Sequence, residues 1–288
     1  MNRNIFHLIV KSDMMEIMLV YPIAAWNPAL NSRVGPQQNL TYRKWGESMI
    51  EISNVSKSYN KGKIKAVDNL NLHVKSGEIF GFLGPNGAGK TTTIKMMIGL
   101  LNADEGSIRI NGHDIRTDAL EAKKNVGYVP DNPDVYDRLS GMEYLNFMAD
   151  MYRVPADVRK DRIKYFLDMF ELTDAASDLI KSYSHGMKQK IVLTGALIHE
   201  PALWVLDEPM VGLDPKSAHL LKEHMRRHCD KGNTVFFSTH VLEVAEKLCD
   251  RVGIIHRGRL VAIGTIDELR QGDNAESLEN IFLELTEK

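Results

Sequence analysis

The stretch Glu78-Ile79-Phe80-Gly81-Phe82-Leu83-Gly84-Pro85-Asn86-Gly87-Ala88-Gly89-Lys90-Thr91, continuing as Thr92-Thr93-Ile94-Lys95-Met96-Met97-Ile98-Gly99-Leu100-Leu101, decides the fold. Its first part is a short apolar run ending in glycine, which predicts a buried strand. Its last part sets Ile94, Met97, Ile98 and Leu101 at helical spacing, which predicts a helix over 90–101. Between them, residues 84–91 match G-x-x-x-x-G-K-[ST]. Glycines let a backbone curl until successive N–H groups point inward at a polyphosphate, and the next helix adds its positive end. Lys90 is expected to supply a full charge to the β- and γ-phosphates, and the Thr91 hydroxyl to ligate Mg²⁺. A chance glycine-rich turn would not need a strand before it and a helix after it. The reading is therefore a nucleotide site built from Gly84, Pro85, Asn86, Gly87, Ala88, Gly89, Lys90, Thr91 and Thr92.

Downstream, Leu203-Trp204-Val205-Leu206-Asp207-Glu208 predicts an apolar strand ending in two carboxylates. A carboxylate at a strand end beside a phosphate loop is placed to hold the Mg²⁺ shell, which gives Asp207 that role. Glu208, one residue on, is expected to orient and deprotonate the attacking water. Acidic residues also cap turns, and Pro209 starts one. The order Asp-Glu-Pro after an apolar strand, behind a phosphate loop, favours ATP hydrolysis.

The bulk properties exclude several classes. The chain has 288 residues, 43% hydrophobic and 26% charged, with a net charge of -2. Nothing in that balance favours a nucleic-acid or anionic-membrane partner. The two cysteines, Cys229 and Cys249, fit neither a disulfide framework nor a metal site and suggest a reducing cytosolic setting. No apolar run reaches the roughly 18–20 residues of a spanning helix. Residues 5–20 come nearest, broken by Lys11, Asp13 and Glu16 and without the pattern of a signal peptide. If the protein works at a membrane, another chain must cross it.

Residues 1–48 carry Trp26, Trp45 and scattered prolines without a sustained period, and the text changes at Met49. Met49 is expected to be the native start. Trp45-Gly46-Glu47 requires a G-rich, purine-rich codon stretch just upstream, which suits a bacterial ribosome-binding site; an N-terminal arm is the alternative. Beyond it, Ile50, Ile52 and Val55, then Ala66, Val67, Leu70, Leu72 and Val74, predict two half-buried antiparallel strands. Residues 140–180 read as helical, with one stripe of Tyr144, Phe147, Met148 and Met151 and another of Ile163, Phe166, Leu167 and Phe170. These stripes are read as core. Strands at 203–206 and 234–238 with helices between imply a mostly parallel sheet.

With these residues in hand, the chain from Met49 to about Thr286 resembles the nucleotide-binding subunit of an ATP-binding-cassette (ABC) transporter. Several motifs follow in the family's order. Tyr59 stands where the adenine-stacking aromatic belongs. Tyr183-Ser184-His185-Gly186-Met187 resembles the signature LSGGQ, which opens a helix and grips the γ-phosphate held by the opposite subunit; Ser184 and Gly186 match, His185 and Met187 do not. Gly212-Leu213-Asp214-Pro215 resembles the D-loop. Ser238-Thr239-His240 resembles the switch histidine, implying that His240 positions Glu208 and the water. One departure stands out: the family's glutamine, a Mg²⁺ and permease sensor, is replaced by Asp131 after Val126-Gly127-Tyr128-Val129-Pro130. A carboxylate still ligates Mg²⁺ but adds charge and loses an amide donor.

The resemblance implies an α/β P-loop ATPase core over 49–270 with a mostly parallel sheet. An antiparallel β-subdomain and a helical subdomain at about 132–190 complete it. In 271–288 a short amphipathic helix carries Leu278, Ile281, Phe282 and Leu285. It also implies MgATP, bound at the interface of a homodimer or heterodimer of such subunits, and an integral-membrane permease docked around 132–152. That places the protein peripherally on the cytoplasmic face of a bacterial membrane with no nucleic-acid partner, and the short form points to drug-resistance or ABC-2 export. The alternatives are a soluble non-transport ABC ATPase and a nucleotide-binding regulatory module with little hydrolysis.

Overall fold

The computed structural model describes residues 48–60, 62–133, 136–270 and 277–286. The expectations about residues 1–47 lie outside the described residues. Among the described residues ten strands occur in chain order: β1 (Ser48–Tyr59), β2 (Ile64–Lys75), β3 (Ile79–Leu83), β4 (Glu105–Ile110), β5 (His113–Asp114), β6 (Val126–Val129), β7 (Leu203–Asp207), β8 (Thr234–Thr239), β9 (Arg251–His256) and β10 (Arg259–Gly264). The helices are α1 (Lys90–Met97), α2 (Ala119–Lys123), α3 (Gly141–Met151), α4 (Ala156–Met169), α5 (His185–Leu197), α6 (Pro215–Asp230), α7 (Leu242–Leu248), α8 (Ile266–Leu269) and α9 (Leu278–Thr286).

Two sheets organise the molecule. The first is antiparallel, in the order β2-β1-β4-β5, with Ile50 opposite Val74 and Ile110. Its alternating residues bury one face, as the period of two requires. The second has the order β10-β9-β3-β8-β7-β6 and is parallel except for its edge strand β10. Every residue of β3, β6, β7 and β8 is buried, which is why they read as unbroken apolar runs. Within this core Phe80 stacks on Phe236, and Phe82 packs against Phe236 at a tilt.

Helix α1 stops at Met97, one turn short of the expected end at Leu101. Gly99 takes φ +69°, and the N–H groups of Leu100 and Leu101 turn back to the Lys95 carbonyl at 2.8 and 3.1 Å. That geometry is the left-handed stop glycine favours. The helical region also ends early. α3 opens on a reciprocal cap between Ser140 and Glu143, and Arg153 (φ +54°) and Pro155 separate it from α4. Glu171, at φ +56°, closes α4, and only a short 3₁₀ turn at Ile180–Ser182 follows. Both predicted stripes are buried, apart from the partly buried Met151.

A ring cluster joins α4 and α6 to β7, and a second ring pair, Tyr152 with His199, lies just after α3 and α5. His228 stacks on Trp204 at 4.0 Å between centroids and His224 at 5.3 Å, while His199 stacks on Tyr152 at 3.3 Å. Burial pushes the imidazoles of His199 and His228 down to about 3 and that of His224 to about 4. The folded chain therefore refuses protons that the unfolded chain accepts below about pH 6.5, so stability is full above that pH and lost as pH falls. Urea unfolding should lose up to about 4 kcal/mol per pH unit below pH 6, roughly 1.4 for each of three histidines. His228→Phe should make that slope shallower; a slope unchanged by this substitution would contradict the assignment.

Candidate active site

The phosphate loop leaves the centre of the parallel sheet at Leu83. A Cβ on Gly84 would sit 2.5 Å from the Ile255 carbonyl oxygen of β9, so glycine alone passes there. Gly89 has φ +110°, and its Cβ would meet the Ala66 carbonyl oxygen at 2.4 Å. Gly87 (φ +78°) instead borders open space. The Ala88 N–H donates to Pro85 O (3.1 Å), and the Gly258 N–H donates to Ala88 O (2.9 Å). These bonds hold the curl against the β9–β10 turn. α1 then begins at Lys90 with Gly89 as its cap.

Lys90 is 7% exposed. Its Nζ donates to Gly84 O at 2.7 Å and Pro85 O at 3.3 Å, and lies 3.6 Å from Glu208 Oε1. An ammonium held by its own loop and facing a carboxylate is one that an incoming phosphate can compete for.

The carboxylates come from the end of β7. Register sets Asp207 opposite Ser238 of β8. The Ser238 hydroxyl donates to Asp207 Oδ1 and accepts the Glu208 N–H at 3.1 Å. Burial raises the Asp207 carboxyl, against the lowering pull of the Ser238 and Thr91 hydroxyls; the charges of Asp131 and Glu208 add to the rise. The other oxygen, Oδ2, is buried without a hydrogen bond of ordinary length. A buried, unsatisfied carboxylate oxygen beside a threonine hydroxyl is a donor set suited to a hard cation. Glu208 adopts φ +48°, uncommon for a side-chain-bearing residue, and its Oε1 lies 3.1 Å from His240 Nδ1.

Lys90, Thr91, Asp131, Asp207, Glu208 and His240 thus converge. Tyr59 stands at the end of β1, 40% exposed. Ser184 caps α5, its hydroxyl accepting the Met187 N–H at 3.2 Å, and Gly186 packs on Gly212. Among the described residues no hydrogen bond or ion pair links Ser184 to the phosphate loop. Ser238 joins the site without a role expected from the sequence, where a hydroxyl in an apolar strand is its one signal.

The family model described as ABC transporter matches residues 67–211. The chain belongs to the ABC transporter family. Linearmycin resistance ATP-binding protein LnrL of Bacillus subtilis is 40% identical over 221 residues, covering 77% of this chain and 70% of that one. The probable multidrug ABC transporter ATP-binding protein YbhF of Escherichia coli is 37% identical, over 83% of this chain and 42% of its own. A solved ATP-binding subunit of an ABC transporter superposes with a TM-score of 0.78 at 35% identity, covering 82% of this chain and 99% of that one. The dimeric cassette MJ0796, bound to ADP and Pi after hydrolysis, gives 0.68 at 26% identity, over 75% of this chain and 98% of its own. The α/β cassette with its two sheets is that of an ABC ATPase.

In this ABC ATPase, Ser238→Ala would strip partners from both Asp207 Oδ1 and the Glu208 N–H. Denaturant unfolding should show a loss of about 1–3 kcal/mol; wild-type stability would contradict the bracing role.

Proposed function

We propose that this chain is the ATP-hydrolysing motor of an export-type ABC transporter, driving a separate integral-membrane permease from the cytoplasmic face of a bacterial membrane. The observation that carries the reading is the convergence of Lys90, Asp207, Glu208 and His240 on the open side of the phosphate loop. The resistance and multidrug names of LnrL and YbhF support the export direction. Among the described residues no helix is long and apolar enough to cross a membrane.

In this reading the backbone N–H groups of residues 86–92 and the Lys90 ammonium hold the ATP phosphates. Tyr59 offers its ring to the base. Thr91, Asp207 and Asp131 would hold Mg²⁺, which supplies charge neutralisation on the phosphate oxygens. Glu208 orients the water and accepts its proton, while His240 fixes the Glu208 carboxylate. Ser184 and Gly186, at the N-terminal end of α5, are assigned to the γ-phosphate of a second subunit, in a homodimer or heterodimer. We assign residues 49–270 to the ATPase domain, with a helical subdomain at about 132–190, and 271–288 to a C-terminal helix. The permease is assigned to the face around 132–152.

Asp131 favours a second reading, a nucleotide-binding module with little hydrolysis, since the substituted carboxylate adds charge beside Asp207. A steady-state ATPase assay separates the two. Wild-type protein should hydrolyse MgATP, and Glu208→Gln should lower kcat by about 100-fold or more, 100-fold being the lower end of the usual range for a general base. Equal rates for the two would overturn the assignment of Glu208.

A further inference from the structure

The start of α5 is fastened to the loop that follows Glu208 in the same subunit. A Cβ on Gly212 would lie 2.6 Å from His185 Cδ2 and 3.0 Å from its Nε2. A Cβ on Gly186 would lie 2.7 Å from the Gly212 carbonyl oxygen. The two glycines therefore interlock, and the His185 ring closes over the second of them. One turn further along α5, Gln189 Nε2 donates to Pro209 O at 3.4 Å, and Lys190 Nζ pairs with Asp214 Oδ2 at 2.7 Å. Asp214 in turn caps α6 through the Ser217 N–H at 2.9 Å and hydroxyl at 2.7 Å. Residues 209–214 are thus gripped at their start, middle and end by one helix.

We infer that His185 is a positioning residue for Glu208. Glu208 begins this loop at φ +48°, so its backbone direction depends on where the loop is held. The Val211 N–H closes back to Glu208 O at 3.1 Å and the Leu213 N–H to Met210 O at 3.3 Å, which passes the position of Gly212 to Glu208 through two short turns. The His185 ring sits where the family's signature has glycine, and it fills the space above Gly212 that a glycine leaves empty. A ligand that settles on the exposed start of α5 moves the His185 contact, and with it the carboxylate that acts on the other nucleotide. Chains of packed side chains and hydrogen bonds are one route by which such coupling is carried, and the contacts above form one.

The consequence for hydrolysis rests on the function proposed above, whereas the fastening does not, so two measurements are needed. Hydrogen exchange without nucleotide reads the fastening: in His185→Gly the amides of Val211 and Leu213 should exchange about tenfold faster than in wild type. Steady-state ATPase reads the consequence: kcat should fall about tenfold, while the KM for ATP stays within about twofold, because the ATP contacts are untouched. Gly212→Ala carries a backbone cost at φ +80° in either background, but should cost kcat several-fold less when His185 is already glycine, since the ring the new Cβ collides with is gone. Unchanged exchange in His185→Gly would overturn the fastening. Changed exchange with an unchanged kcat, or equal costs of Gly212→Ala in both backgrounds, would overturn the positioning role.

Discussion

A buried ammonium is the point on which this molecule turns. Lys90 Nζ is held by the Gly84 and Pro85 carbonyls and faces the Glu208 carboxylate at 3.6 Å. A charge out of water must be paired, and here its partners come from the loop itself and from the strand end that carries the acidic pair. Sheet register gathers this cation, two carboxylates and a histidine at one place.

Sheet geometry makes this gathering possible. β3, β8 and β7 run parallel, so their C-terminal ends emerge side by side and deliver Gly84, His240 and Asp207-Glu208 to one edge. Ser238 binds two of these elements together by serving Asp207 and the Glu208 backbone at once. The same parallel arrangement lets helices cover the sheet with their buried faces, which explains why the central strands hold no exposed residue.

Much of this was legible in the sequence because the signals were local. The strand–loop–helix around Gly84, the apolar run before Asp207 and the helical stripes of Phe147 and Phe166 each carry their own pattern. What escaped is non-local. The stop at Gly99 competes with a stripe that continues to Leu101, and the backbone conformation won. Ser238 gains its role only from register with Asp207, which is 31 residues away in the chain. The contact of His185 with Gly212 likewise joins two loops, and the sequence registers it merely as a departure from a motif. The histidines around Trp204 and Tyr152 were also not singled out: His224 and His228 share one face of α6 at a spacing of four, but the rings they stack on come from β7, distant in the chain.

The central claim is that the Lys90 ammonium is the charge that receives the nucleotide. Calorimetric titration of ATP into wild-type protein and into Lys90→Ala tests it most directly. Loss of a charge-assisted contact worth about 1.5–3 kcal/mol predicts an affinity about 10- to 100-fold weaker in the variant. An ATP affinity within about twofold of wild type would contradict the account.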